Sequence, residues 1–245
     1  MTSPFDLNIY QGNIESITEE IIRAKDGSFV YIVTPNINHV VRLRDDAQLA
    51  LAYSTASWTV CDSRILKPLL FLLRRIQCNV IPGSDLVSRL LPIANEMALK
   101  VSIIGCNKED VAIIKEKFPR MITFHINPPM GFMNNETMVL ECVDFVKRNP
   151  ANFVFFAVGS PRQEILARLI HSTNEASGVG LCVGASLNFI SGRVRRAPIW
   201  IQRLHLEWLH RIVMEPRRLA RRYIFDALAL LAMIFSEISR SLKNR

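Results

Sequence analysis

Residues 153–164 read Phe153-Val154-Phe155-Phe156-Ala157-Val158-Gly159-Ser160-Pro161-Arg162-Gln163-Glu164. An unbroken β-branched and aromatic run of this kind suits a strand buried on both faces, as in a parallel sheet. Glycine ends the run, and a proline placed to open a helix follows, with an acid in the first turn. The flanking sequence repeats the unit. Short apolar runs at 29–34, 58–61, 101–105, 121–126 and 179–183 predict further strands, and helical periodicity fills 37–53, 85–99, 108–118, 136–147 and 161–171. The expected fold is α/β and Rossmann-like, a mostly parallel sheet flanked by helices.

The chain has 245 residues, room for one large domain or one domain with an appendage. It is 49% apolar and 21% charged, which implies a packed core and excludes disordered and fibrous classes. Cysteines 61, 78, 106, 142 and 182 form no CxxC and no Cys/His cluster, which argues against a disulfide framework or structural zinc and for a reducing cytoplasm. The polar, acid-bearing N-terminal stretch does not read as a signal peptide, and no apolar run reaches the roughly 18 residues of a transmembrane helix.

Charge is unevenly placed. Residues 1–192 hold 18 Lys+Arg against 18 Asp+Glu, whereas 193–245 hold 12 against 4, so the whole net charge of +8 lies in the last part. This predicts a neutral α/β catalytic domain, 1–192, followed by a basic, partly amphipathic C-terminal appendage, 193–245, directed at something anionic. Its Trp, Leu and Arg content over 200–223 suits a membrane surface. Packing on the core or on another subunit is the plainer alternative. Nucleic acid is the weakest, since no binding motif accompanies the arginines.

Candidate chemistry gathers at predicted strand ends, where ligands of open α/β sheets bind. Gly105, Gly159 and Gly184 close three strands, and Gly83 and Gly131 lie in loops beside prolines. Asp62 directly follows the strand at 58–61; it is placed either as a general base or as a helix cap. Thr34 and Asn36 offer neutral hydrogen-bonding groups after the first strand, again with capping as the alternative. His39 reads as structural or superficial. In 159–164, the N–H groups at the start of the helix favour an anion such as phosphate, and Gln163 can bond a sugar or base. Arg193, Arg195 and Arg196 can grip phosphates bidentately. No GxGxxG, P-loop, HExxH or DxD is present, so no cofactor and no metal is expected.

Taken in order, these pieces resemble the WecG/TagA/CpsF glycosyltransferases, glycosyltransferase family 26. The motifs are TPN at 34–36, Asp62, PGSD at 82–85, PPMGF at 128–132, GSPRQE at 159–164, VGASLNF at 183–189, RAP at 196–198, LEWLHR at 206–211 and EPRRLARRY at 215–223. The resemblance implies an inverting, metal-independent transfer of a sugar from a UDP-sugar to an undecaprenyl-diphosphate-linked saccharide. The setting it implies is peripheral, at the cytoplasmic face of the bacterial plasma membrane, in cell-wall polymer or surface polysaccharide synthesis. It makes Asp62 the base for the acceptor hydroxyl and Thr34, Asn36 and Gln163 active-site polar groups. The appendage would close the site, with Arg217, Arg218, Arg221 and Arg222 as candidates to reach the diphosphate. The remaining motif positions, Gly83, Asp85, Gly105, Gly131, Phe132, Gly159, Ser160, Pro161, Arg162, Glu164, Gly184, Ala185, Asn188 and Arg196, are read as substrate-binding. Three positions depart from the family pattern: Ser63 stands where glycine is usual, Val80 where arginine is, and Leu187-Asn188 where Phe-Asp is. The donor is therefore expected to be a hexosyl nucleotide of unspecified identity. A membrane-associated sugar-nucleotide-binding or scaffold protein is the alternative, and a homo-oligomer is left open.

Overall fold

The computed structural model describes residues 4–194, 197, 198, 201, 207–214 and 216–243. In chain order its elements are α1 (Ile14–Ala24), β1 (Val30–Val33), α2 (Ile37–Leu43), α3 (Ala47–Ser54), β2 (Trp58–Thr59), α4 (Leu66–Arg74), α5 (Gly83–Glu96), β3 (Lys100–Gly105), α6 (Lys108–Lys117), β4 (Ile122–Ile126), α7 (Glu136–Arg148), β5 (Phe153–Ala157), α8 (Arg162–Thr173), β6 (Val179–Cys182), α9 (Ser186–Ile190), α10 (Glu207–Met214) and α11 (Pro216–Lys243). A single turn of 3₁₀ helix, Phe132–Asn134, precedes α7.

The strands form one sheet in the order β2-β1-β6-β5-β3-β4, every neighbouring pair parallel. The run that opened the sequence reading is β5, between β3 and β6, with Phe155 in register with Ile103 and Leu181. Side chains alternate across a strand, so Phe153 and Phe155 enter one face and Val154 and Phe156 the other. The first face is covered by α1, α5, α6 and α9 through residues such as Ile17, Leu90, Ile114 and Leu187. The second is covered by α3, α7 and α8 through Leu49, Cys142, Leu166 and Ile170. Phe153, Phe155 and Phe156 are fully buried, each worth on the order of 1.5–3 kcal/mol of transfer free energy.

Connections to one side of the sheet cross the first face and those to the other side cross the second, as right-handed crossovers require. Chains leaving neighbouring strands thus part to opposite faces: after β3 to α6 but after β5 to α8, and after β6 to α9 but after β1 to α2 and α3. That divergence opens a crevice along the carboxyl edge.

A third cluster lies outside the sheet. It joins Phe5, Ile9, Val40, Cys61, Leu66 and Leu70 to Met233 of α11. The inner face of α11 also buries two acids, both partnered. Asp226 accepts from Asn38 Nδ2 at 3.0 Å with each oxygen, and Glu237 Oε2 meets Arg74 Nη2 at 2.5 Å. Asp226, which interrupts the apolar run in the sequence, thus ties α11 to α2.

Two expectations are corrected here. The periodic segment 37–53 is two helices, because Asp46 takes extended backbone and caps α3 by accepting from the Leu49 N–H at 2.9 Å. The helix expected from 85 begins at Gly83, after the extended Pro82, which puts the Gly83 N–H on its first turn.

Candidate active site

The singled-out residues at 34–36, 62, 105, 159–164 and 183–188 follow the carboxyl ends of β1, β2, β3, β5 and β6, and Gly83 joins them at the start of α5; the site there divides into a buried floor and an accessible rim. Thr34 is 4% exposed and donates its Oγ1 to the Cys182 carbonyl at 2.8 Å, fastening the end of β1 to β6. Asn36 is half-buried and caps α2, its Oδ1 accepting from the His39 N–H at 3.3 Å. Gln163, 2% exposed, is a two-way clamp. Its Oε1 accepts from the Gly184 N–H at 2.9 Å, and its Nε2 donates to Glu164 Oε1 at 2.8 Å.

Glu164 is fully buried at the start of α8. Burial raises its pKa to about 7, and the Gln163 amide, Ser160 and the Arg42 guanidinium offset that only in part. His39 Nδ1 lies 3.8 Å from Glu164 Oε1 and 2.8 Å from the Tyr53 hydroxyl, whose pKa burial drives well above its ordinary value. Arg42, from the last turn of α2, donates to the Ser160 carbonyl at 3.1 Å and pins the turn whose Ser160–Pro161 bond is cis. His39, Arg42 and Tyr53 belong to the site's architecture without having been read as part of it. Each lies on an ordinary helix, and only the packing of α2 and α3 against α8 joins them to Glu164.

Asp62 stands on the rim. It is half-buried, its own N–H donates to the Pro35 carbonyl at 3.0 Å, and its Oδ1 accepts the Gly83 N–H at 2.8 Å. The residue therefore ties the loop after β1, through its backbone, to the N-terminus of α5, through its carboxylate, where the helix dipole favours negative charge. Gly83 in turn backs onto the turn after β6, since a methyl group there would lie 3.4 Å from Ser186 Oγ. Contacts thus run from Asp62 through Gly83 to the 183–186 turn, and from Gly184 through Gln163 to Glu164. The residue after Asp62, Ser63, accepts from the Leu66 N–H at 3.1 Å in the turn that leads into α4.

Gly105 ends β3 with φ +98°, and a Cβ there would come within 2.8 Å of the Ala157 carbonyl carbon, so only glycine lets β3 and β5 close up at this edge. Gly159, Ser160, Pro161, Arg162, Gly184, Asn188 and Asp85 are all half-buried on the rim, and Ala185 is exposed. Asn188 Oδ1 lies 3.8 Å from Cys106 Sγ, and Arg162 Nη1 lies 3.3 Å from Met130 Sδ. The 128–132 turn exposes Gly131 but buries Phe132 to 3%, so Phe132 anchors the turn from within and is not part of its accessible wall. Arg193 pairs with Asp110 at 2.9 Å. Arg195 and Arg196 lie outside the described residues. Arg217, Arg218, Arg221 and Arg222 fall on the helical backbone of α11, but their side chains lie outside what is described.

Burial raises the thiol pKa of all five cysteines, Cys61 and Cys106 to about 12 and Cys142 to about 11, which disfavours a thiolate nucleophile. Among the described residues no three His, Cys, Asp or Glu side chains gather as a metal site would need, and no helix is long and apolar enough to cross a membrane.

The fold and this edge define an open, doubly wound α/β protein whose ligand crevice carries the Asp62 carboxylate on its rim and helix N-termini around it. Comparison with known sequences carries the assignment further: the profile of the glycosyl transferase WecG/TagA/CpsF family matches residues 2–244, and the chain belongs to that family. Similar proteins include the N-acetylglucosaminyldiphosphoundecaprenol N-acetyl-beta-D-mannosaminyltransferase of Bacillus subtilis strain 168, 30% identical over 161 residues, 64% of this chain and 60% of the relative. The Staphylococcus aureus strain MW2 protein of the same name is 26% identical over 196 residues, 78% of this chain and 75% of the relative. A third of that name, from Bacillus spizizenii, is 32% identical over 146 residues, 58% and 54% respectively. The chain thus spans between about half and three quarters of the curated relatives it matches.

Proposed function

We propose that the protein is a glycosyltransferase that moves a hexosyl residue from a UDP-sugar to a polyprenyl-diphosphate-linked saccharide, with inversion and without a metal ion. The observation that carries the reading is Asp62, held on the rim of the crevice by the Gly83 N–H, in a chain of this family. The relatives' names supply the acceptor class, a diphosphoundecaprenol-linked sugar. In this scheme Asp62 takes the proton of the acceptor hydroxyl as its oxygen attacks the anomeric carbon. UDP departs toward the start of α8, where the Ser160 and Arg162 N–H groups meet its growing charge, with Arg217, Arg218, Arg221 and Arg222 as the sequence's further candidates for the diphosphate. Thr34, Gln163 and Glu164 support the reaction from below by fixing the loops that form the crevice. The substitutions at 63, 80 and 187–188 leave the donor sugar open among hexosyl nucleotides.

Incubating the full chain with a short-chain polyprenyl-diphosphate saccharide and a panel of UDP-sugars, and measuring UDP release, tests this directly. One donor should give acceptor-dependent release that survives EDTA. UDP binding with no release from any donor supports instead the sugar-nucleotide-binding reading; loss of turnover in EDTA removes the metal-independent part.

A further inference from the structure

We infer that Glu164 is a positioning residue for the crevice: its neutral carboxyl keeps the turns after β5 and β6 set for the nucleotide, and loss of its proton releases them. The nucleotide rests on the transferase reading; the coupling of the two turns to one proton does not.

Glu164 is the third residue of α8, and its side chain is fully buried. Its two oxygens are not alike. Oε1 accepts from Gln163 Nε2 at 2.8 Å, whereas Oε2 is buried with no hydrogen-bond partner. Ser160 Oγ, which acts on the same carboxyl, is also buried without a partner. A charge on Oε2 would sit away from water with no donor, a cost that the neutral acid avoids.

The carboxyl reaches both turns. Through Gln163, whose Oε1 accepts from the Gly184 N–H at 2.9 Å, it is linked to the turn after β6. Through Ser160 it is linked to the turn after β5, where the Ser160 carbonyl accepts from Arg42 at 3.1 Å. The first of these turns backs onto Gly83, whose N–H holds Asp62, and the second opens α8.

The titratable and charged groups around this carboxyl come from five elements. From α2 come His39, with Nδ1 at 3.8 Å from Oε1, and Arg42; from α3 comes Tyr53; from β1 and β6 come Tyr31 and Cys182; and α8 itself carries Arg168. Burial pushes Tyr31 up to about 12 and holds Tyr53 and Cys182 well above their ordinary values, so all three stay neutral between pH 5 and pH 8. Guanidinium groups stay charged throughout. Glu164, pushed up by burial to about 7, and the imidazole of His39 are left to exchange protons in that range. His39 Nδ1 is engaged with the Tyr53 hydroxyl at 2.8 Å, which leaves Arg42 as the cation for an ionised Glu164. In a low-dielectric interior a carboxylate outcompetes a carbonyl for a guanidinium, so ionisation takes Arg42 from Ser160 and unpins the turn.

Three measurements on the full chain and on Glu164→Gln, at pH 6 and pH 8, test this, with melting curves to show that both proteins stay folded. Glutamine keeps a neutral acceptor for Gln163 Nε2 and has no proton to lose. In infrared difference spectra the native chain should lose a protonated-carboxyl band between the two pH values, a band that the variant lacks at both. Amide hydrogen exchange at 159–164 and 184–186 should match the variant at pH 6 and exceed it at pH 8. UDP affinity, taken as the ratio of native to variant, should fall about tenfold from pH 6 to pH 8, the change in the neutral fraction of an acid that titrates near about 7. An acid that only fills space would leave that ratio level. Where both proteins bind UDP, a level ratio overturns the inference and assigns the pH dependence to His39 or to the nucleotide. A carboxyl band that does not titrate, or equal exchange at pH 8, overturns it as well. UDP bound by neither protein, with band and exchange as expected, would leave the coupling standing and remove the UDP-sugar reading.

Discussion

The floor of the crevice and the outer faces of α4 and α11 depart from ordinary burial in opposite ways. Beneath the carboxyl edge, Thr34, His39, Gln163 and Glu164 are polar and nearly inaccessible, each with a partner, although Glu164 Oε2 has none. On α4 and α11, Phe71, Leu72, Leu228 and Phe235 are apolar and in contact with water. Burying polar groups costs free energy unless each is paired, and exposing apolar ones forgoes it. Asp62 adjoins both elements of the contrast, since it bonds the Gly83 N–H on the rim and the turn into α4 follows it in the chain. Precise loop placement explains the first departure.

The contrast can be broken most strongly at Gln163. Gln163→Leu keeps the volume but leaves the Gly184 N–H with only the Phe156 carbonyl, at 3.2 Å, and strips the amide donor from the buried Glu164 Oε1, at about 1–3 kcal/mol for the group left unpaired. Chemical denaturation should show a loss of about 1–3 kcal/mol; a loss below about 0.5 kcal/mol would mean the clamp is idle.

The next effect is one of pH. The Glu164 carboxyl gives up its proton near 4.5 in the unfolded chain but only near about 7 in the fold. Between those values the folded state holds the extra proton, so this stabilisation is whole below 4.5, fades as pH rises, and is gone above 7. This carboxyl should make the unfolding free energy of the native chain about 2.5 kcal/mol higher at pH 5 than at pH 8. In Glu164→Gln this difference should vanish, and a slope that persists in the variant would assign it to another group.

Gly105→Ala follows, at about 1–3 kcal/mol for a strained backbone, with the added methyl forcing β3 from β5 at the crevice. A crystal structure of the variant should show the Ala157 carbonyl displaced. The smallest effect lies on the other side of the comparison. Leu228→Ser and Phe235→Ser should change stability by no more than about 0.5 kcal/mol, because those side chains are already in water. A larger loss would show that the stripe packs against protein.

Much of this was legible in the sequence because it is local. The six apolar runs became the six strands, for each is a short β-branched stretch ended by a turn residue. Asp62, Gly83 and Gly184 were legible as strand-end residues, but the order of the strands was not, and it is the order that brings residues 62, 83 and 184 together. The break at 44–46 was hidden because apolar periodicity continues across it, although Asp45-Asp46 carried the capping signal. Helix α1 went unread despite its Asn13–Ser16 capping box, and α4 despite its leucines, which lacked the polar face that marks an amphipathic helix. The floor was least legible: Glu164, His39 and Tyr53 are far apart in the chain and meet only when α2, α3 and α8 pack. Charge marked the basic segment but could not show that Asp226 and Glu237, the two acids of α11, would turn inward as its anchors.

The central claim is that Asp62 is the base of a sugar transfer at this edge. Single-turnover UDP release, measured for the native chain and for Asp62→Asn with donor affinity determined on both, tests it most directly. The account predicts a 10²–10⁴-fold fall in rate, the usual worth of a general base, with donor affinity changed less than about threefold. A variant that turns over at close to the native rate would contradict it.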